Sequence, residues 1–298
     1  MKLRVRVPGS CGELVQGLLQ DDYFLVTCPI DRYAEAVIEP ADEFSAQLPP
    51  KARRAAEMTI ERLQIKDCKF KLTLSSQLPL GKGMASSSAD IAAVAQAIAH
   101  FHGQSFAAKD IAAIALAIEP TDAVFFPGVT LFDHVKGSVC LMLGTPPPLE
   151  IMVFDVGGAI DTISFNQRQD LAQKNKEKSL QVAKALQFLR RGIDSGDASL
   201  LAQGATLSAI ANQSILWKQG LEELWEIGRK AGALGVNVAH SGTVMGLLFA
   251  EGKTSREEER VITELEHACS ARYLETVRLI AGGLWIQEGD DTAWQKCI

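Results

Sequence analysis

Apolar and polar side chains alternate along Met1-Lys-Leu-Arg-Val-Arg-Val-Pro8, and residues 23–39 are rich in Val, Ile and Tyr up to Glu39-Pro40. A period of two places one face of each segment in a core, so both are predicted strands. The spacing then changes. Residues 51–64 interleave charged positions with Ala, Met58, Ile60 and Leu63, which predicts a helix. Phe70-Lys-Leu-Thr-Leu-Ser75 returns to alternation and reads as a strand stopped before Pro79. From Ser86, Ile91, Val94, Ile98 and Phe101 recur at helical spacing in an alanine-rich run that ends near Gly103. A further helix begins after Ser105, carries Ile111, Ile114 and Ile118, and stops at Glu119-Pro120, because proline lacks the amide donor that would continue it.

Ser138 to Leu143 is a predicted strand leading into Thr145-Pro-Pro-Pro148, a run excluded from a central strand and the best candidate linker. Leu149 to Val156 is the next strand, ending at Gly157-Gly158. Helical patterns occupy 168–191, 196–215 and 218–231; residues 236–250 read as strand, glycine turn, strand; 255–269 as helix; and 273–280 as strand. Both halves mix strands with helices and no repeat is evident, so the expected fold class is α+β with two domains, 1–147 and 148–298.

Composition narrows the classes. Apolar residues make up 47% of the 298 and charged residues 22%, the balance of a globular protein and not of a disordered one. No run approaches the roughly 18 apolar residues of a membrane span, and the N-terminus reads as a strand and not as a signal peptide. A cytoplasmic protein with no membrane contact is expected. The net charge of -6 offers nothing to a phosphate backbone, so nucleic acid is not an expected partner, whereas one nucleotide needs only a few local donors. The six cysteines form no CxxC pair and are expected to be reduced, mostly buried thiols. Trp217 and Trp225 read as packing anchors in a helix, with an oligomer face, and hence a homodimer, as the alternative. Lys174, Lys176 and Lys178 form a minor basic cluster.

The chemistry concentrates in Pro79-Leu-Gly-Lys-Gly-Met-Ala-Ser-Ser-Ser-Ala-Asp90. Gly81 and Gly83 permit backbone angles closed to other residues, and the serines open a helix whose first-turn amides suit a polyphosphate. Ser86, Ser87 and Ser88 add hydroxyls for phosphate oxygens or a magnesium ion. The stretch is neither a P-loop nor a dinucleotide fingerprint. A plain turn followed by serine caps is the competing reading.

This stretch resembles the phosphate-binding motif of the GHMP kinases, the superfamily of galactokinase, homoserine kinase and mevalonate kinase. Pro8-Gly-Ser-Cys-Gly-Glu-Leu-Val-Gln-Gly17 resembles the superfamily's first motif, and Asn237-Val-Ala-His-Ser-Gly-Thr-Val-Met-Gly246 its third. The resemblance implies a ribosomal-protein-S5-like N-terminal domain and a ferredoxin-like C-terminal domain. It also implies ATP and Mg2+ as cofactors, and transfer of a phosphoryl group to a small alcohol. The first motif, with Ile118-Glu-Pro-Thr-Asp122, Thr130-Leu-Phe-Asp-His134 and Asp155-Val-Gly-Gly-Ala-Ile-Asp-Thr162 followed by Phe165-Asn166, resembles the branch that phosphorylates L-threonine for cobalamin synthesis. Homoserine or an isoprenoid precursor is the alternative substrate.

On that resemblance Pro79, Gly81, Lys82, Gly83, Met84, Ala85, Ser86, Ser87 and Ser88 hold the nucleotide. Ser86 and Glu119 hold the metal, and Asp122 orients or deprotonates the alcohol. The better-known relatives separate these two carboxylates by more than the three positions found here, which leaves Asp110 as an alternative ligand. Residues expected near substrate are Ser10, Glu13, Asp155, His240 and Thr243, with Asp161 a second candidate beside the paired glycines. A turn or strand end is the competing account of Ser10, Asp155, Asp161 and His240. An aspartate of ordinary pKa, near 4, is a weak base for an alcohol, so positioning is the first role expected of Asp122.

Overall fold

The alternation at the N-terminus continues much further than expected. In the computed structural model, which describes residues 2–19, 22–158, 165, 167–252, 255–269, 271–289 and 293–297, β1 runs from Leu3 to Leu19 and pairs antiparallel with β2 (Asp22–Pro40). Leu3, Val5 and Val7 face one core, and Leu14 and Val15 face another. Between them the register with β2 shifts at Pro8, Ser10 and Glu13, so the glycine-containing first motif is a bulged crossing between two cores. The tight turn, the competing account of this motif, is not there.

After β3 (Ser45–Gln47), α1 (Pro50–Arg62) starts with proline at its first position, where the missing amide costs nothing. Next come β4 (Phe70–Ser76), α2 (Ser86–Phe101) and α3 (Ala108–Leu116). Alanine lets α2 sink between α1 and the sheet: Ala89, Ala92, Ala93, Ala95, Ala97 and Ala99 are all buried. Two short strands, β5 (Val129–Phe132) and β6 (Cys140–Gly144), precede the proline run, and β7 (Leu149–Asp155) follows it.

The C-terminal half contains α4 (Leu171–Glu177), α5 (Ser179–Ser195), α6 (Ala198–Asn212), α7 (Leu221–Lys230), β8 (Gly235–Val238), β9 (Val244–Ala250) and α8 (Ser255–Cys269). β10 (Arg272–Arg278), β11 (Leu284–Glu288) and β12 (Gln295–Cys297) close the chain. Strand order along the main path is β10-β7-β9-β8-β1-β2-β4-β3 in a 12-stranded sheet, with β11 and β5 paired to β1 and β2. The architecture is α+β, as the mixed periodicities predict. β3 and β12, three residues each, are too short to show a period, and β5 and β11 also escape the sequence pattern.

Three expectations are corrected. Trp217 lies in the loop after α6 with 68% of its surface exposed, so it anchors nothing; Trp225 does pack, against the cluster under α7 and α8. Lys178 is no part of a solvated cluster: it is buried between α4 and α5, with Nζ donating to Asn212 Oδ1 at 2.8 Å. All six cysteines are free, but Cys140 is exposed and only Cys11, Cys28 and Cys269 are buried. Burial pushes the Cys11 thiol up to about 12, which leaves it inert as a nucleophile.

Candidate active site

The three glycine-bearing motifs, far apart in sequence, meet at residues 82–84. From β1, the amides of Ser10 and Gly12 donate to the carbonyls of Met84 and Gly83 at 3.0 and 3.2 Å. From the turn after β8, the amides of Thr243 and Val244 donate to the Lys82 carbonyl at 2.9 and 3.1 Å. The loop is therefore clamped on both sides by main chain. Gly83 has φ +82°, and a Cβ there would stand 2.4 Å from Ala239 Cβ.

The clamp aims the loop into α2. Ala85, at φ +55°, occupies the N-cap without any side-chain cap bond, so the serines are not the caps of the competing reading. The first-turn amides keep no intrahelical acceptor and open toward a cavity of about 360 Å³. Gly81, Gly83, Met84, Ala85, Ser86, Ser87, Ser88, Glu119, Asp122 and His240 line it. A polyphosphate laid along this helix mouth would meet amides, hydroxyls and the positive end of the helix dipole together.

Ser88 links the loop to the predicted base. Its Oγ accepts from Thr121 Oγ1 at 2.9 Å and from the Asp122 amide at 3.0 Å, and its own proton goes to the Asp122 carboxylate. Both acceptor positions and the donor are thus committed to one turn. Thr121 is also tied through its amide to the His134 carbonyl at 2.9 Å, and the Ala123 amide reaches Thr27 Oγ1 at 3.4 Å. Burial first, and then the nearby Glu119 charge, push Asp122 up to about 7 despite the Ser88 bond. That value replaces the ordinary one assumed from sequence and suits a general base at neutral pH. Glu13 is raised well above its usual range by burial and by Asp122, against a hydrogen bond from Thr27.

These shifts set a pH signature. A carboxyl whose folded pKa is raised binds its proton more tightly in the folded state, so stability is fully present below about pH 4 and is lost as pH rises through about 7. The metal-free protein is expected to become progressively less stable between those values, and Asp122→Asn to flatten part of that slope. Denaturant midpoints measured across the range check it; a flat wild-type profile would refute the burial argument.

Glu119, 5% exposed, hangs from the end of α3 through its amide bond to the Ala115 carbonyl. Its Oε2 is ion-paired with Lys51, and its buried Oε1 has no hydrogen-bond partner, the mark of an acceptor awaiting a ligand. Asp110, the alternative, is spoken for elsewhere. It caps α3 by accepting from the Ala107 amide at 3.2 Å and pairs with Arg62 at 2.5 Å, and it does not line the cavity. Among the described residues no group of three or more His, Cys, Asp or Glu is arranged to hold a metal by itself. Ser86 and Glu119 fit a cation that draws its remaining ligands from phosphate and water.

Of the other expected residues among those described, only His240 lines the cavity. Lys82 Nζ pairs with Asp155 Oδ2 at 2.7 Å and donates to the Gly158 carbonyl at 2.8 Å, so two residues given separate ligand roles are joined to each other. Burial works to raise Asp155, yet Lys82 and the Gly157 amide hold it below its usual value. Ser10, Glu13 and Thr243 are buried, and Pro79 stands outside the cavity lining. Asp161, Thr162 and Asn166 lie outside the described residues. His240 meets Gln16 Oε1 through Nδ1 at 2.8 Å and packs edge-on against His134 and Phe165. Burial, His134 and the buried Lys178 and Lys218 push its pKa well below the ordinary value, leaving a neutral ring.

Sequence reasoning missed Lys51, Asp90 and His134 as cavity-lining side chains. Lys51 belongs to no motif. Asp90 carried a signal, an acid in the buried alanine-rich stretch of α2, where burial pushes it up to about 6.

The GHMP kinases N terminal domain family matches residues 51–126, and the GHMP kinases C terminal family matches 185–271. An L-threonine kinase of Salmonella typhimurium is 34% identical over 245 residues, 81% of each chain. An L-threonine kinase of Citrobacter freundii is 29% identical over 286 residues, 94% of this chain and 98% of that one. The solved homoserine kinase from Cytophaga hutchinsonii shares the fold, with a TM-score of 0.69 at 16% identity over 96% of this chain and 97% of its own. The chain belongs to the GHMP kinases and is an ATP-dependent kinase of a small alcohol. No helix among the described residues is long and apolar enough to cross a membrane.

Proposed function

We propose that the alcohol is the side-chain hydroxyl of L-threonine, giving O-phospho-L-threonine and ADP in the cytoplasm, as a step toward cobalamin. The observation that carries this reading is the likeness to L-threonine kinases over most of the chain, joined to a carboxylate, Asp122, that is held against the helix mouth by Ser88. Residues 1–147 and 148–298 act as the two domains, with the matched family regions falling on either side of the division.

The residues divide the work. The amides at Ser86–Ser88 and the hydroxyls of Ser86 and Ser87 hold the phosphates and neutralise charge on the transferring oxygens. Ser86 and Glu119 would hold Mg2+, which supplies further neutralisation when bound. Asp122 faces the acceptor hydroxyl. As the threonine oxygen bonds to the γ-phosphorus, the bond from that phosphorus to the bridging oxygen breaks, its electron pair leaves with ADP, and the hydroxyl proton passes to Asp122. Burial and the Glu119 charge raise Asp122 to about 7, which makes it a stronger proton acceptor than an ordinary aspartate, and the hydroxyl proton moves to it as the new phosphorus–oxygen bond acidifies the alcohol.

The test is a panel of L-threonine, L-serine, L-homoserine and mevalonate with ATP and Mg2+, read by ADP release and product mass. L-Threonine is expected to give the highest kcat/KM. A higher value for L-homoserine or mevalonate would move the activity to that alcohol and end the threonine reading.

A further inference from the structure

A lysine side chain reaches the cavity from a segment that none of the motifs contains. Lys51 sits in the first turn of α1, directly after Pro49-Pro50, and its ammonium is paired with Glu119 Oε2. The two partners differ in freedom: the Lys51 side chain is 40% exposed, the Glu119 side chain 3%. A carboxylate buried to that degree needs a counter-charge, and Lys51 is the cation that supplies it. Yet the pairing leaves Glu119 Oε1 without a hydrogen-bond partner, in a residue that lines the cavity together with Ser86 and Ser87. The compensation is therefore incomplete, and the mobile half of the pair is a four-carbon chain ending in a freely rotating ammonium.

We propose that Lys51 has two successive partners. In the metal-free enzyme it holds the Glu119 carboxylate in place, and when a divalent cation and nucleotide enter, Lys51 yields Glu119 to the cation and binds the nucleotide's terminal phosphate oxygens. The inference rests on the metal reading of Glu119 given above. It follows from charge balance: once a divalent cation sits on Glu119, an ammonium at the same oxygen is repelled by it, while phosphates within the same cavity offer the released lysine new acceptors. Because Pro49-Pro50 stiffens the approach to α1, the lysine's base is held while its head exchanges.

The experiment compares wild type, Lys51→Met and Lys51→Arg by binding, without turnover. Mn2+ is titrated into nucleotide-free protein, and a non-hydrolysable ATP analogue and adenosine are titrated separately in saturating Mg2+. Methionine keeps the aliphatic stem at a half-exposed position, and circular dichroism confirms folding. Lys51→Met is expected to bind Mn2+ about ten-fold more tightly, since nothing competes for Glu119, and the ATP analogue about ten-fold more weakly, with adenosine unchanged. Lys51→Arg is expected to stay within about three-fold of wild type on both axes, as it keeps the charge. Unchanged analogue affinity in Lys51→Met would overturn the exchange and leave Lys51 a fixed counter-ion; so would unchanged Mn2+ affinity. Should Lys51→Met fail to fold, Lys51→Gln, which keeps a polar head, is read in the same titrations by the same criteria. Glu119→Gln separates the two failures. If it loses Mn2+ binding while Lys51→Met behaves as wild type, only the role of Lys51 falls. If Glu119→Gln binds Mn2+ as wild type does, the metal reading falls and takes the exchange with it.

Discussion

Asp122→Asn is expected to lower kcat about a thousand-fold while leaving the affinity for ATP within about three-fold of wild type. General-base assistance contributes about 10²–10⁴ in rate, and each factor of ten corresponds to about 1.4 kcal/mol of transition-state stabilisation, so the loss amounts to about 4 kcal/mol. The geometry makes the variant a clean one. Asparagine keeps the volume and an oxygen able to accept the Ser88 proton, and the backbone bond from residue 122 to Ser88 does not depend on the side chain. The nucleotide cradle is built from other residues, Ser86–Ser88 and the loop before them. The substitution also removes a charge that burial and Glu119 oppose, so the variant should be at least as stable as wild type above about pH 7. Rapid-quench single-turnover rates and calorimetric ATP binding check the two halves. Wild-type turnover in Asp122→Asn would remove this carboxylate from the chemistry.

Gly83→Ala is expected to destabilise the fold by about 2–4 kcal/mol and to weaken ATP binding at least ten-fold. Two costs add. At φ +82° any L side chain is strained, by about 1–2 kcal/mol. The new methyl carbon would also stand 2.4 Å from Ala239 Cβ and 2.9 Å from Gly242 Cα, and neither neighbour is the end of a flexible side chain. The pressure falls on the loop itself: its carbonyls at Lys82, Gly83 and Met84 are pinned by amides from β1 and from the turn before β9, so relief must come from moving the cradle. Chemical denaturation measures the first loss and calorimetric titration the second. A fully stable Gly83→Ala with unchanged ATP affinity would show that the three-way clamp is not what seats the loop. Gly242→Ala, whose methyl would meet the Lys82 carbonyl oxygen at 2.2 Å, is expected to act in the same direction from the opposite side.

Much of this arrangement was legible along the chain. Long periodic segments such as 86–101 and 255–269 declared themselves as helices, because an apolar stripe at helical spacing has few other uses. The glycines at 81 and 83 and the serines after them marked a backbone meant to be approached, and the acid at Glu119 stood out beside a helix-stopping proline. These signals are local: residue type and short spacing carry them, and folding leaves them where they were.

What only the tertiary structure decided are relations across long separations. That Lys82 meets Asp155 and not an open phosphate pocket, that Lys51 neutralises Glu119, and that Ser88 holds the turn of Asp122 all depend on which elements come to lie side by side. The ionisation of Asp122 belongs with them, since burial depends on the whole assembly around a side chain and not on its sequence neighbours. Residue type set what each group could do, and packing chose its partner and its charge.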